Sequence, residues 1–231
     1  MAEFIPSKMH PIRATAVNSP LRVVIAALGL LVFGGSAIAQ QKYVVTLGNM
    51  TAWRIVSNKH IATNQDTDFI SLSVEATNQP KFKKGYGPNN LRTNQTTNLA
   101  LSSGPILVAG PTSTLTIGWA AVNSGTGQTQ QLISRLNDTA EQIGESVPNV
   151  YSQVISFIAG HVVGFLTANC NCPLFGGKVT FSGAQLASGA LGPQWPSEGP
   201  GRWHAVFDFP NIPGGCSTGH YNLEIHIQKV P

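Results

Sequence analysis

The chain has 231 residues, 14 Lys+Arg against 10 Asp+Glu, and only 10% charged side chains. That length suits one domain with a sizeable core, and a formal charge of +4 is too small to argue for a nucleic-acid partner. Sparse charge with abundant Gly, Thr, Ser, Asn and Gln fits an exported β protein.

Residues 1–39 read as an export signal. Lys8, Arg13 and Arg22 make a basic front, Val23–Phe33 is a short apolar run, and Ala37-Ile38-Ala39 fits a small-residue cleavage site. Cleavage after Ala39 would remove three basic residues and Glu3, lowering the formal charge from +4 to +2. The expectation is a secreted or periplasmic domain spanning 40–231.

From Tyr43 the dominant signal is period-two alternation. Tyr43–Leu47 and Ala52–Ser57 are apolar runs around Gly48. In Asp68–Ala76, Ile70, Leu72 and Val74 share one face, with Ser71, Ser73 and Glu75 on the other. Ser113–Ala121, Lys178–Phe181, Trp203–Phe209 and Tyr221–Val230 follow the same rule, with shorter candidates at Asn98–Leu101 and Ile106–Ala109. Eight or nine one-sided strands predict an antiparallel β-sandwich, jelly-roll-like or immunoglobulin-like, because each sheet must cover its apolar face.

One stretch breaks the pattern. Gln128–Ala168 predicts an inserted helical hairpin, with Leu132, Ile133, Leu136, Ala140 and Ile143 at helical spacing in its first half. Gly144 is the expected stop, and Pro148 the first turn of a second helix. Val147–Ala168 holds no Asp, Glu, Lys or Arg. Such a segment is buried in protein or in lipid. In the lipid alternative, a membrane-active protein would insert Val154, Phe157, Ile158, Val162 and Phe165 into the bilayer.

Two polar segments read as long loops, and loops of that length carry function or move. Asn78–Asn94 contains Lys81-Phe82-Lys83-Lys84-Gly85-Tyr86, a mixture of cations and aromatics. Gly189–Gly201 places Trp195 among three prolines, with no strand to bury it. Trp195, Lys83, Lys84 and Tyr86 are therefore the expected ligand-binding residues, Trp195 as an exposed stacking platform.

Cys170, Cys172 and Cys216 are an odd set. A disulfide from Cys170 or Cys172 to Cys216 is the simplest outcome in an exported chain, and a zinc site completed by His220 the sharper alternative. Asp66-Thr67-Asp68 enters a strand, where two carboxylates could supply oxygen ligands to calcium; no other cofactor is expected. No Gly-x-Ser-x-Gly elbow, His-Glu-x-x-His or phosphate loop occurs. His204 and Asp208, four apart on one strand, lie about 13 Å apart and cannot pair directly.

Three features together resemble a group of exported bacterial and fungal proteins with no assigned activity. They are Asp66-Thr67-Asp68-Phe69 opening a strand, a hydrophobic helical segment ending in Ala168-Asn169-Cys170, and a late cysteine, Cys216, before the terminal strand. The resemblance implies export and architecture only. The resulting expectation is a non-enzymatic binding module for an extracellular glycan or surface ligand. Membrane activity and a hydrolase assembled from distant loops are the alternatives.

Overall fold

The computed structural model describes residues 40–56, 65–166, 170–213 and 216–231. The expected signal segment 1–39, Asn64, and the Ala168-Asn169 part of the Ala-Asn-Cys motif lie outside them. The described residues belong to one unit, Ser36–Pro231.

Among the described residues ten strands build two antiparallel sheets. The first runs in the order β4 (Gln95–Ser102), β1 (Gln41–Arg54), β10 (Thr218–Val230), β9 (Arg202–Pro213), β8 (Ser197–Gly199), with β5 (Ile106–Val108) also paired to β1. The second is ordered β3 (Phe82–Leu91), β2 (Asp66–Ala76), β6 (Thr114–Asn123), β7 (Cys172–Ser182). The alternation read from the sequence sets which residues point between the sheets. Leu47, Met50, Ile70, Leu72, Ile117, Leu223 and Ile225 are all buried there.

The fold is thus the expected β-sandwich, with corrections at its edges. The first apolar run before Gly48 and the start of the second, as far as Arg54, are one bulged strand. Asn78–Asn94 is no loop: most of it is β3. Part of Gly189–Gly201 pairs as β8. A short helix, α3 (Gly183–Ser188), was also missed. Its signal was present in Ser182-Gly183-Ala184-Gln185, which forms a capping box satisfying backbone donors at both of its residues.

Helices α1 (Thr129–Glu145) and α2 (Tyr151–His161) form a third layer on the outer face of the second sheet. Leu132, Leu136, Ala140, Ile143, Val154, Ile158 and Val162 meet Phe69, Ala120 and Val122 in a second apolar core. Ser71 and Ser73, expected on a polar face, are buried beneath the helical layer, and Ser71 Oγ bonds Asn137 Oδ1 of α1 at 2.6 Å. Small residues in the middle of this sheet allow the close approach. A Cβ on Gly118 would stand 2.3 Å from the Ala140 carbonyl oxygen, and one on Gly176 would stand 2.7 Å from Ile158 Cδ1.

The second helix is shorter than expected. It begins three residues after Pro148 and ends at His161, followed by a single 3₁₀ turn at Val163–Phe165. Val154, Ile158 and Val162 are fully buried against the sheet rather than presented to lipid, while Phe157 and Phe165 are half-buried. Among the described residues no helix is long and apolar enough to cross a membrane. Burial of this segment needed only a flat, small-residue sheet face, which the alternation pattern alone did not reveal.

The disulfide joins Cys170 to Cys216, with Cα atoms 4.8 Å apart, and Cys172 is buried in the main core. This resolves the choice between the two cysteines and removes the thiolates that a zinc site would need.

Gly118→Ala should lower the urea midpoint of unfolding and cost about 1–3 kcal/mol, because backbone rather than a flexible side chain blocks the added methyl. The same substitution at Gly127, where nothing lies within 4 Å of an added Cβ, should leave the midpoint nearly unchanged.

Candidate functional site

Helices cover the second sheet, whereas the outer face of the first sheet carries polar and half-exposed side chains from β1, β8, β9 and β10. Two β-bulges in β1 shape this face. Against β10 the register passes from Leu47/Ile225 to Met50/Leu223, and from Ala52/Tyr221 to Arg54/His220. Each bulge inserts an extra residue and re-aims its neighbours. The first contains Gly48, where a Cβ would collide with His226 Nε2 at 2.7 Å, so the imidazole lies directly against the backbone.

The second bulge contains Trp53, 48% exposed. In the amide orientation that matches its neighbours, Asn222 accepts from Trp53 Nε1–H at 3.2 Å and donates to Asp208 Oδ1 at 2.5 Å. His220 Nε2 also meets Asp208 Oδ1, at 2.6 Å. Trp53, Asn222, Asp208 and His220 therefore form one connected group that anchors the indole edge and leaves much of the side chain in solvent.

A second group lies further along β10. His204 and His226 are cross-strand partners whose near-parallel rings sit 5.8 Å apart. Glu198 of β8 stands 3.0 Å from His204 Nδ1 and 3.6 Å from His226 Nδ1. Glu224 accepts from Asn49 Nδ2 at 2.9 Å and lies 3.7 Å from His226 Nε2. Along β10, Asn222, Glu224, His226 and Gln228 project at every second residue, so the row of polar groups extends about 20 Å. As expected, His204 and Asp208 do not pair with each other.

The structure disperses the residues first expected to bind ligand. Trp195 is 5% exposed, packed edge-on against Phe181 with centroids 5.2 Å apart and near Phe207 at 6.0 Å. It closes the inter-sheet core together with Leu191 and cannot act as a platform. Lys83 bonds Asp138 and Glu141 of α1 at 3.0 and 2.8 Å, and Lys81 pairs with Glu141 and Glu145. The hydrogen bonds that Lys83 donates to Glu141 and Asp138 raise its own pKa, and accepting from Lys83 lowers the Glu141 pKa. Two of the three lysines of the cluster thus tie an edge strand to the helix. Lys84 and Tyr86 remain exposed on β3, away from the other groups.

Asp66 and Asp68 do lie together, fully buried at one end of the sandwich. Asp66 Oδ2 accepts from Val56 N–H at 2.9 Å and from the Tyr221 hydroxyl. Asn123 bridges this end, donating to the Cys170 carbonyl at 3.1 Å and accepting from Thr67 N–H at 2.9 Å. Among the described residues neither Asp68 oxygen has a hydrogen-bond partner. Burial, and then the neighbouring Asp66 charge, push the Asp68 pKa well above the usual carboxylate range. Burial and the two carboxylates likewise raise the Tyr221 pKa far above that of a free phenol. Among the described residues no group of three or more His, Cys, Asp or Glu is placed to hold a metal ion. Asp66 and Asp68 are the pair the calcium reading names, and one oxygen of Asp66 already takes two protein donors.

Neither a protein-family model nor a curated protein matches this chain. Solved structures give distant similarities. Human GIVD cytosolic phospholipase A2, in complex with methyl gamma-linolenyl fluorophosphonate, aligns with 84% of this chain at 9% identity and a TM-score of 0.36. The alignment covers 17% of that protein. The C2A domain of plant Extended Synaptotagmin 1 aligns with 83% of this chain and 95% of its own, at 11% identity and a TM-score of 0.31. Nothing about ligand or activity follows at such scores.

Asp68→Asn should stabilise the protein increasingly as pH rises. The unfolded chain releases this proton near pH 4 and the folded chain holds it to higher pH. The folded state therefore binds more protons between the two pKa values, and wild-type stability falls there by about 1.4 kcal/mol per pH unit. Asn carries no such penalty. Thermal unfolding of both proteins across pH 4 to 8 should show curves that diverge toward high pH, and parallel curves would refute the assignment.

Proposed function

We propose that the chain is an exported, non-enzymatic binding module that takes an extracellular glycan on the open face of its first sheet. The observation that carries this reading is Trp53, an exposed indole held in a bulge and anchored through its N–H beside a carboxylate, an amide and an imidazole. A sugar presents C–H groups on its ring face and hydroxyls around its rim. An indole face attracts the former, while Asp208, Asn222 and His220 supply acceptors and donors for the latter. Because hydrogen bonding already fixes the ring edge, less side-chain freedom is lost on binding.

The open sheet face suits an extended ligand, and the row from Asn222 to Gln228 offers further hydrogen-bonding groups along it. The Cys170–Cys216 disulfide is compatible with an extracellular setting. The proposal moves the platform from Trp195 to Trp53 while keeping the same ligand class.

Trp53→Ala should weaken retention by soluble polysaccharides in affinity electrophoresis about tenfold, with little change in melting temperature. Trp195→Ala should do the reverse, lowering stability by about 3–5 kcal/mol through an internal cavity. Equal retention of the Trp53 variant and the parent protein would remove the open face as the contact surface.

A further inference from the structure

The helical layer carries an apolar surface that the open sheet face does not use. From Ser146 to Gly177 the chain has no Asp, Glu, Lys or Arg. On its solvent side Val150, Tyr151 and Val163 are 51%, 42% and 68% exposed. Two shallow cavities lie along α2. One of about 660 Å³ is lined by Val147, Pro148 and Phe157 together with Ser152, Gln153 and Ser156. The other, about 400 Å³, is lined by Arg135, Gly160, His161, Val163, Gly164 and Phe165. They adjoin where the Phe157 ring stacks on His161, with centroids 4.0 Å apart. The combined groove follows α2 from Ser152 to His161, about 14 Å.

Its polarity is one-sided. Arg135 is the sole cation of α1, is exposed, and has no ion-pair partner among the described residues. The acids that share its helix, Asp138, Glu141 and Glu145, are taken by Lys81, just before β3, and Lys83 of β3. His161, which lines the same cavity as Arg135, is held by the hydrogen bond that its Nδ1–H donates to the Phe157 carbonyl at 3.3 Å. The opposite end, at Val147 and Pro148, has no charged lining residue. An apolar groove with one unneutralised cation at one end complements a single-chain anionic amphiphile.

We propose that the groove alongside α2 binds such an amphiphile, its carboxylate at Arg135 and its alkyl chain over the His161 and Phe157 rings toward Pro148. The occupant is a dispersed molecule of fatty-acid chemistry rather than a bilayer, since the segments that would have to insert are buried in the second core. This site is independent of the glycan face, on the other side of the sandwich.

The test is calorimetric titration of the full chain with dodecanoate below its micellar concentration, with dodecyltrimethylammonium as the cationic control. Dodecanoate should bind once per chain and the control weakly. Arg135→Gln should weaken dodecanoate about tenfold, as expected for loss of a charge-assisted hydrogen bond, with no change in melting temperature. Gly160→Trp should abolish binding, because nothing lies within 4 Å of an added Cβ at Gly160 and the indole can fill the groove without disturbing the fold. Unchanged affinity in both variants, equal binding of the cationic control, or no binding at all would overturn the proposal. So would association only with phosphatidylcholine–phosphatidylglycerol vesicles, which would make the surface a bilayer contact instead.

Discussion

The close seat of α1 on the second sheet is the constraint from which the rest of the molecule follows. It depends on Gly118, whose missing side chain lets the backbone of Ala140 and Gly144 approach the strand. With Ser71, Ser73, Ala120 and Gly176 beside it, the sheet presents a nearly flat bed on which a helix can lie. Covering that face turns a two-layer sandwich into three layers with two apolar cores. It also assigns the two outer surfaces their characters: one sheet is roofed by helices, and the other faces solvent with its polar side chains.

The solvent-facing sheet is shaped by its bulges. A regular β1 would alternate without interruption, and the Gly48–Asn49 and Trp53 irregularities would not exist. The first lets His226 lie on the backbone and brings Asn49 to Glu224; the second turns Trp53 outward beside Asn222. Backbone irregularity, rather than a loop, is what gathers these chemically capable side chains. The long polar segments that seemed the natural place for a site are instead used for structure, as an edge strand clamped to α1 and as a lid holding Trp195 over the core.

The end of the sandwich near the disulfide holds a different kind of tension. Asp66 is satisfied by Val56 N–H and the Tyr221 hydroxyl, whereas Asp68, two residues on, has no donor among the described residues. A carboxyl group in that position keeps its proton more readily than ionising beside a second carboxylate. The fold therefore carries a group whose charge state opposes its own burial at higher pH, close to the covalent link between Cys170 and Cys216.

The sequence by itself determined the β-sandwich, the position of the helical insertion, and most core residues, because alternation and helical spacing are local consequences of which side chains leave water. It limited the disulfide to two choices. It also contained the capping box of α3, although the bulge in β1 hid Trp53. Tertiary structure alone decided that Ser71 and Ser73 lie under a helix and that Lys83 is spent on Glu141 and Asp138. It alone decided that Trp195 is core while Trp53 is surface, and that no described residue donates to Asp68. Each of these depends on which element packs over which face. Packing is set by contacts between segments tens of residues apart, which no local period encodes.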